Sequence, residues 1–370
     1  MKTNGKTRKT FDNDCKILII GGYGHVGRLI AERLAPMYPG RVVIAGRNIN
    51  KASVAAMEIG YGVDKREIDL FSKCSSVTAH ESQMDDVVLV LVCMDQNQNQ
   101  FVEQCIKLGI NYVDISADYD FISQVEKLNN LAVQYSTCVI QSVGVAPGLT
   151  NLLASWVTKK MKSIERIDIL LELGLGDHHG QAAIEWMFDN LDSVYEVNEN
   201  GQIKTVRSFN EQLDLALPTQ PFPRPAYRFN FSDQHVLVRT LGIPSISTWF
   251  RFDDRVSTWV LAKISQKGGG KLLRRKWFRK IAVWLFLNVH MGSDTCGVAV
   301  RAVGDNKKTL TFGLVGRKEA LMTAIVATET VRQVLSGSMP SGVYHSEQVI
   351  QMDPVITALK HEIKDMVISL

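Results

Sequence analysis

The chain has 370 residues, 45% of them hydrophobic, and 42 Lys and Arg against 38 Asp and Glu give a net charge of +4. That length supports two or more domains and a sizeable core, and a modest charge with no lysine-arginine stripe interleaved with aromatics excludes nucleic acid as a main partner. Six cysteines form no C-x-x-C pair and no metal-ligand spacing, so a reduced cytoplasmic compartment and no structural metal are expected.

Residues 1–14 are polar and basic without an apolar h-region, and are expected to be a flexible extension and not a signal peptide. Ile17 to Ile20 then runs into a glycine turn and into the helical spacing of Leu29, Ile30, Arg33 and Leu34. Gly22, Gly24 and Gly27 fit G-x-G-x-x-G between that strand and that helix. Gly22 is expected to permit the tight turn, Gly24 to admit a pyrophosphate to the backbone, and Gly27 to let helix and strand pack closely. With Tyr23, His25 and Val26 between the glycines, the loop is the expected pyrophosphate site at a helix N-terminus.

A second strand, Arg41 to Ala45, ends in Gly46-Arg47-Asn48. NAD sites usually carry an acid about 20 residues beyond the glycines to hold the ribose hydroxyl. Arg47 instead offers a guanidinium to a 2′-phosphate, with Asn48 beside it, which favours NADP over NAD. A solvated surface charge is the alternative reading of Arg47.

Asp64 to Leu70 reads as a third strand, with Asp69 placed to contact the adenine or simply to solvate a loop. Val87 to Cys93 is a continuous apolar run, as in a parallel strand buried on both faces. It opens into Met94 to Asn99, whose polar groups, Gln98 among them, suit a nicotinamide or ribose. Helix Phe101 to Leu108 stops at Gly109, strand Asn111 to Ser116 leads to Asp118, and Cys138 to Val143 is the sixth strand. Strands alternating with helices over 16–143 predict a parallel sheet covered on both faces. The turn Gly144 to Asn151 is the expected hinge out of this domain, with Gly144 and Pro147 near the nicotinamide.

Together G-G-Y-G-H-V-G, A-G-R at 45–47, Y-V-D-I-S at 112–116 and G-V-A-P-G-L-T-N-L-L-A at 144–154 resemble the saccharopine dehydrogenase family. The resemblance spans most of residues 15–154. It implies an α/β fold, a Rossmann-type doubly wound parallel sheet plus a second α+β domain with a mixed or antiparallel sheet and a helical return to the first. It also implies a nicotinamide-dependent oxidoreductase acting on a C–N bond, as in saccharopine and lysine dehydrogenases, and a homodimer.

Beyond 164, Ile164 to Leu173 reads as a strand, Gly180 to Val194 as a helix, and Ser245 to Phe252 as a strand of period two whose Asp253-Asp254 turn leads into a further strand candidate, Val256 to Ile264. Cys296 to Val303 and Thr309 to Val315 flank the turn Gly304-Asp305-Asn306. Helix Arg317 to Leu335 and a last helix opening at Asp353-Pro354 are expected to pack back on the first domain. The expected division is 15–148 for nucleotide binding, 149–316 for substrate and dimerisation, and 317–370 for the returning helices.

Lys271 to Val289 combines a basic start, aromatics and an apolar end, but no run reaches the roughly 18 apolar residues of a spanning helix. Packing across the domain or a dimer face is favoured over docking on an anionic membrane surface.

Hydride transfer leaves the protein to align the acceptor and manage a proton. Asp118, His178 and His179 are the candidate acid–base residues, with a helix cap by Asp177 as the alternative for the histidine segment. A small carboxylated substrate needs cations, for which Arg224, Arg228 and Arg239, with Gln234, are the candidates on or beside the proline-rich connection Leu217 to Tyr227, expected to be a loop or lid.

Overall fold

The computed structural model describes residue 9 and residues 14–71, 83–270, 275–288, 292–305 and 307–369. The chain divides into two compact units, Met1–Gly144 with Thr323–Gln351, and Val145–Met322 with Met352–Leu370.

The first unit holds strands β1 (Lys16–Ile20), β2 (Val42–Gly46), β3 (Asp64–Glu67), β4 (Val87–Val92), β5 (Asn111–Asp114) and β6 (Cys138–Gln141), joined late in the chain by β15 (Gly342–His345). They form one parallel sheet in the order β15-β6-β5-β4-β1-β2-β3. Between them run helices α1 (His25–Met37), α2 (Ile49–Ile59), α3 (Gln100–Lys107), α4 (Tyr119–Glu126) and α5 (Asn129–Gln134). Every residue of β4 is buried, the mark of a strand covered on both faces. Register sets Ile20 beside Ala45 and Val92, and Val92 beside Asp114. The glycine loop, Gly46-Arg47 and the segment after β4 therefore emerge along one sheet edge, where doubly wound folds bind ligands.

The second unit holds helix α6 (Thr150–Thr158), β7 (Arg166–Leu173), α7 (Gln181–Asp189), β8 (Val194–Glu199), β9 (Gln202–Arg207), β10 (Gln212–Leu215), β11 (Arg224–Arg228), α8 (Ser232–Leu241), β12 (Ile246–Phe252), α9 (Arg255–Gln266), α10 (Lys276–Asn288), β13 (Thr295–Val303) and β14 (Thr309–Arg317). Helix α11 (Glu319–Leu335) runs on into the first unit, which also takes the short α12 (Ser346–Val349), whereas α13 (Met352–Glu362) and β16 (Val367–Ser369) belong to the second. The second sheet is mixed, in the order β10-β11-β12-β7-β13-β14-β16, with β12 and β7 parallel and the other neighbours antiparallel. Trp156 of α6 meets Phe312 of β14 edge-on at 4.4 Å.

Several sequence expectations need correction. Val256 to Ile264 is helix α9, started by the Asp254 carboxylate, which accepts from Ser257 N at 2.6 Å. The helix after Gly180 stops at Asp189, and Val194 instead opens the β8–β9 hairpin. Leu217 to Tyr227 is not a loop throughout, because β11 begins at Arg224 and pairs with both β10 and β12. The last helix groups with the second unit, and β16 extends the second sheet through β14.

Candidate nucleotide site

The glycine loop is shaped by close approach. Gly21, not Gly22, takes the left-handed turn, with φ of +79°. A Cβ on Gly22 would stand 2.7 Å from the Ile44 side chain, and one on Gly27 would overlap the Gly21 carbonyl, so these two glycines seat α1 on the strands. Gly24 differs, being exposed, with only the Gly21 carbonyl oxygen, at 3.0 Å, near a Cβ placed there. As the N-cap of α1 it lends no side chain to the first-turn amides. An open backbone cradle at a helix N-terminus whose N-cap is glycine fits a pyrophosphate. His25 is exposed and Val26 half-buried at the same turn.

Arg47 leaves the end of β2 exposed, followed by Asn48, whose side chain caps α2 by accepting from Lys51 N at 3.0 Å. The Tyr23 hydroxyl accepts from Asn48 N at 3.3 Å. Gly46-Arg47-Asn48 holds no carboxylate, although the exposed Glu67 ends the neighbouring strand, in register with Gly46. A guanidinium here suits a 2′-phosphate.

Further along the edge, Gln98 is exposed, and Asp69, which follows β3 by two residues instead of lying within it, accepts from Phe71 N at 3.0 Å in its own turn. The structure adds a cluster that the sequence did not single out. Tyr112 donates to Asp114 Oδ2 at 2.5 Å, and the buried Gln96 amide donates to that same oxygen at 2.8 Å and to the Tyr112 hydroxyl at 2.6 Å. Ser116 N donates to Asp114 Oδ1. Burial pushes the Asp114 carboxyl up to about 7, against the hydrogen bonds from Tyr112, Ser116 and Gln96. The available signal was the spacing of Tyr112 and Asp114, two apart on a strand and so on one face.

Asp118 serves α4, accepting from Phe121 N at 2.8 Å as its N-cap. Beyond β6, the Ser142 hydroxyl lies 2.9 Å from His345 Nδ1, and His345 Nε2 lies 2.9 Å from Glu126 Oε1. Ser142 is completely buried, so this is a lock between β6 and β15 and not an accessible nucleophile. Gly144 and Pro147 are both buried, Gly144 closing the first unit's N-terminal part and Pro147 near the start of the second.

Within the second unit, most of the expected substrate residues are committed to the fold. Arg228 is 2% exposed and bonded to Glu199, Glu211 and Ser247. Gln234 is equally buried, donating to the carbonyls of Phe229 and Phe231 and accepting from Thr248 N. Arg224 donates to the Asp253 carbonyl, and Arg239 to the His235 carbonyl one helical turn back. Burial makes Arg228 and Gln234 internal fasteners of the fold, whereas Arg239 stays exposed. Asp177 caps a helix, but one 142 residues away: its Oδ2 accepts from Glu319 N at 2.7 Å at the start of α11. His178 is exposed, and His179 Nε2 lies 2.9 Å from the Gly174 carbonyl.

Comparison with known proteins bears on the fold. Residues 17–140 match the family model of the saccharopine dehydrogenase NADP binding domain. A solved structure of saccharopine dehydrogenase (L-Glu forming) from Saccharomyces cerevisiae shares the fold at a TM-score of 0.61 and 13% identity, covering 96% of this chain and 100% of that one. A meso-dapdh mutant from Clostridium tetani matches at a TM-score of 0.43 and 14% identity over 92% of this chain and 95% of its own. A probable dehydrogenase from Thermotoga maritima matches at 0.44 and 12% over 95% and 98%. A search of curated proteins gives no match.

Proposed function

We propose that the chain is a dehydrogenase-type oxidoreductase that uses NADP in preference to NAD and acts at a C–N bond of an amino-acid-derived amine or imine. The observation that carries the cofactor assignment is Arg47, exposed at the end of β2 where an NAD site would place a carboxylate. The bound cofactor supplies the hydride. This chain's own part is to hold the pyrophosphate at Gly24 and the first turn of α1, and to pair Arg47 with the 2′-phosphate. The C–N substrate class is carried over from the saccharopine dehydrogenase resemblance, with His178 and His179 as the proposed proton handlers. A homodimer belongs to the same reading.

Titrating NADPH and NADH into the protein and into Arg47→Ala tests it. NADPH should bind the tighter, and the substitution should weaken it by roughly tenfold to a hundredfold while leaving NADH unchanged. Equal binding of the two cofactors would remove the 2′-phosphate assignment.

A second reading, a nucleotide-binding protein without turnover, is favoured by the commitment of Asp118 to a helix cap and of Arg228 and Gln234 to the fold. Substrate-dependent oxidation of NADPH, screened over keto acids with amines, would eliminate it.

A further inference from the structure

We infer that helices α9 and α10 of the second unit form a docking surface for a lipid layer with anionic headgroups. Residues 255–291 contain Arg255, Lys263, Lys267, Lys271, Arg274, Arg275, Lys276, Arg279 and Lys280 and not one Asp or Glu. Those nine positive charges exceed the net +4 of the entire chain, so the remainder is net acidic.

The same stretch concentrates exposed apolar groups. Trp277, Ile281 and Trp284 follow one another at helical spacing on α10, the two tryptophans 57% and 59% exposed. On α9, Trp259 is 55% exposed, and Val256, Val260 and Ile264 are exposed with it. These are three of the chain's six tryptophans, and each helix turns them outward while burying another face. Helix α10 packs Val283 and Phe286 against Ile184 and Phe188 of α7. Helix α9 buries Leu261, Ala262 and Ser265, whose hydroxyl donates to the Leu191 carbonyl just beyond α7. The outward faces are therefore held on a packed base around the end of α7.

Lysines flank the exposed apolar residues, with Lys263 on α9, Lys267 just after it, and Lys276 and Lys280 on α10, all exposed. Arg279 is the exception, turned inward onto Asp189. Tryptophan with lysine at its margin is the chemistry of a membrane interface, where the ring lies at headgroup level and the ammonium meets lipid phosphate. A second copy of this face would bring two uncompensated basic surfaces together, whereas an anionic layer complements them. No helix among the described residues is long and apolar enough to cross a membrane, so the contact is peripheral.

The test is co-sedimentation of the full chain with vesicles of phosphatidylcholine alone and of equal parts phosphatidylcholine and phosphatidylglycerol, with tryptophan emission recorded in parallel. Binding should appear only with phosphatidylglycerol, shift the emission to the blue and weaken with salt. The triple variant Lys263→Glu, Lys276→Glu, Lys280→Glu should lower partitioning on the order of a hundredfold. Trp277→Ser with Trp284→Ser should lower it at constant charge, and unchanged far-ultraviolet circular dichroism would show that both variants fold. Equal binding to both vesicles, or no effect of either variant, would overturn the inference. So would light scattering that shows a lipid-free dimer split by these substitutions, since the face would then join two copies of the chain.

Discussion

Tyr23, inside the glycine loop, lies against Gly46 at the end of β2, so closely that a Cβ on Gly46 would stand 2.6 Å from both the ring and the hydroxyl oxygen. The loop proposed to hold the pyrophosphate is thereby braced against the backbone that carries Arg47. Because the Tyr23 hydroxyl also accepts from Asn48 N, one side chain fixes the residues on both sides of Arg47.

Gly46→Ala should therefore push the Tyr23 ring off Asn48. The expected cost in stability is about 1–3 kcal/mol, as for overpacking elsewhere, with weakened NADPH binding as Arg47 loses its brace. In a Tyr23→Ala background the added methyl has room, and the cost of Gly46→Ala should largely vanish. Urea unfolding of the four proteins measures this, and an equal cost in both backgrounds would mean that Tyr23 is not the obstacle.

Sequence pattern revealed the first unit well because its signals are local. Four apolar residues at Ile17 to Ile20, glycines at fixed offsets and the unbroken run from Val87 each name an element without help from distant chain. The second unit is built from pairings that pattern does not display. Val367 beside Val315 joins strands more than 50 residues apart in sequence, as does Val343 beside Val139 in the first unit, and short segments such as Val367–Ser369 and Gly342–His345 carry little periodicity. Among the candidate site residues, the glycine loop was legible because close backbone approach dictates its residue types. Arg228 and Gln234 were not, since an arginine or amide that serves a substrate looks the same in sequence as one closing a buried network.

Asp114 should make stability depend on pH. Burial raises its folded pKa from the ordinary carboxylate value of 3.8 to about 7, so between those values the folded chain holds a proton that the unfolded chain has released. Its stabilising contribution is complete below the unfolded value, declines as pH rises and is gone once pH passes about 7. Asp114→Asn keeps the shape of the protonated acid and removes the titration. The stability of the native protein relative to that variant should thus fall by up to about 1.4 kcal/mol per pH unit between pH 5 and 6.5. Parallel unfolding free energies across that range would show that Asp114 ionises with no change on folding.

The second unit contains a buried ion pair whose removal should be costly in one form and mild in another. Arg251, 1% exposed, donates to Glu172 Oε2 at 2.6 Å, to the carbonyls of Leu215 and Arg224, and to Gln220. Gln220 donates in turn to both oxygens of Glu172, closing the network between β7, β12 and the chain from 215 to 224. Arg251→Met leaves Glu172 and two carbonyls without their main donor, an expected loss of about 3–5 kcal/mol. Replacing Glu172 with Met as well removes the stranded charge and should recover part of that loss. Denaturant unfolding of the two single variants and the double variant decides it. Additive losses would mean that the pair contributes no coupling, and that Arg251 acts through its backbone contacts alone.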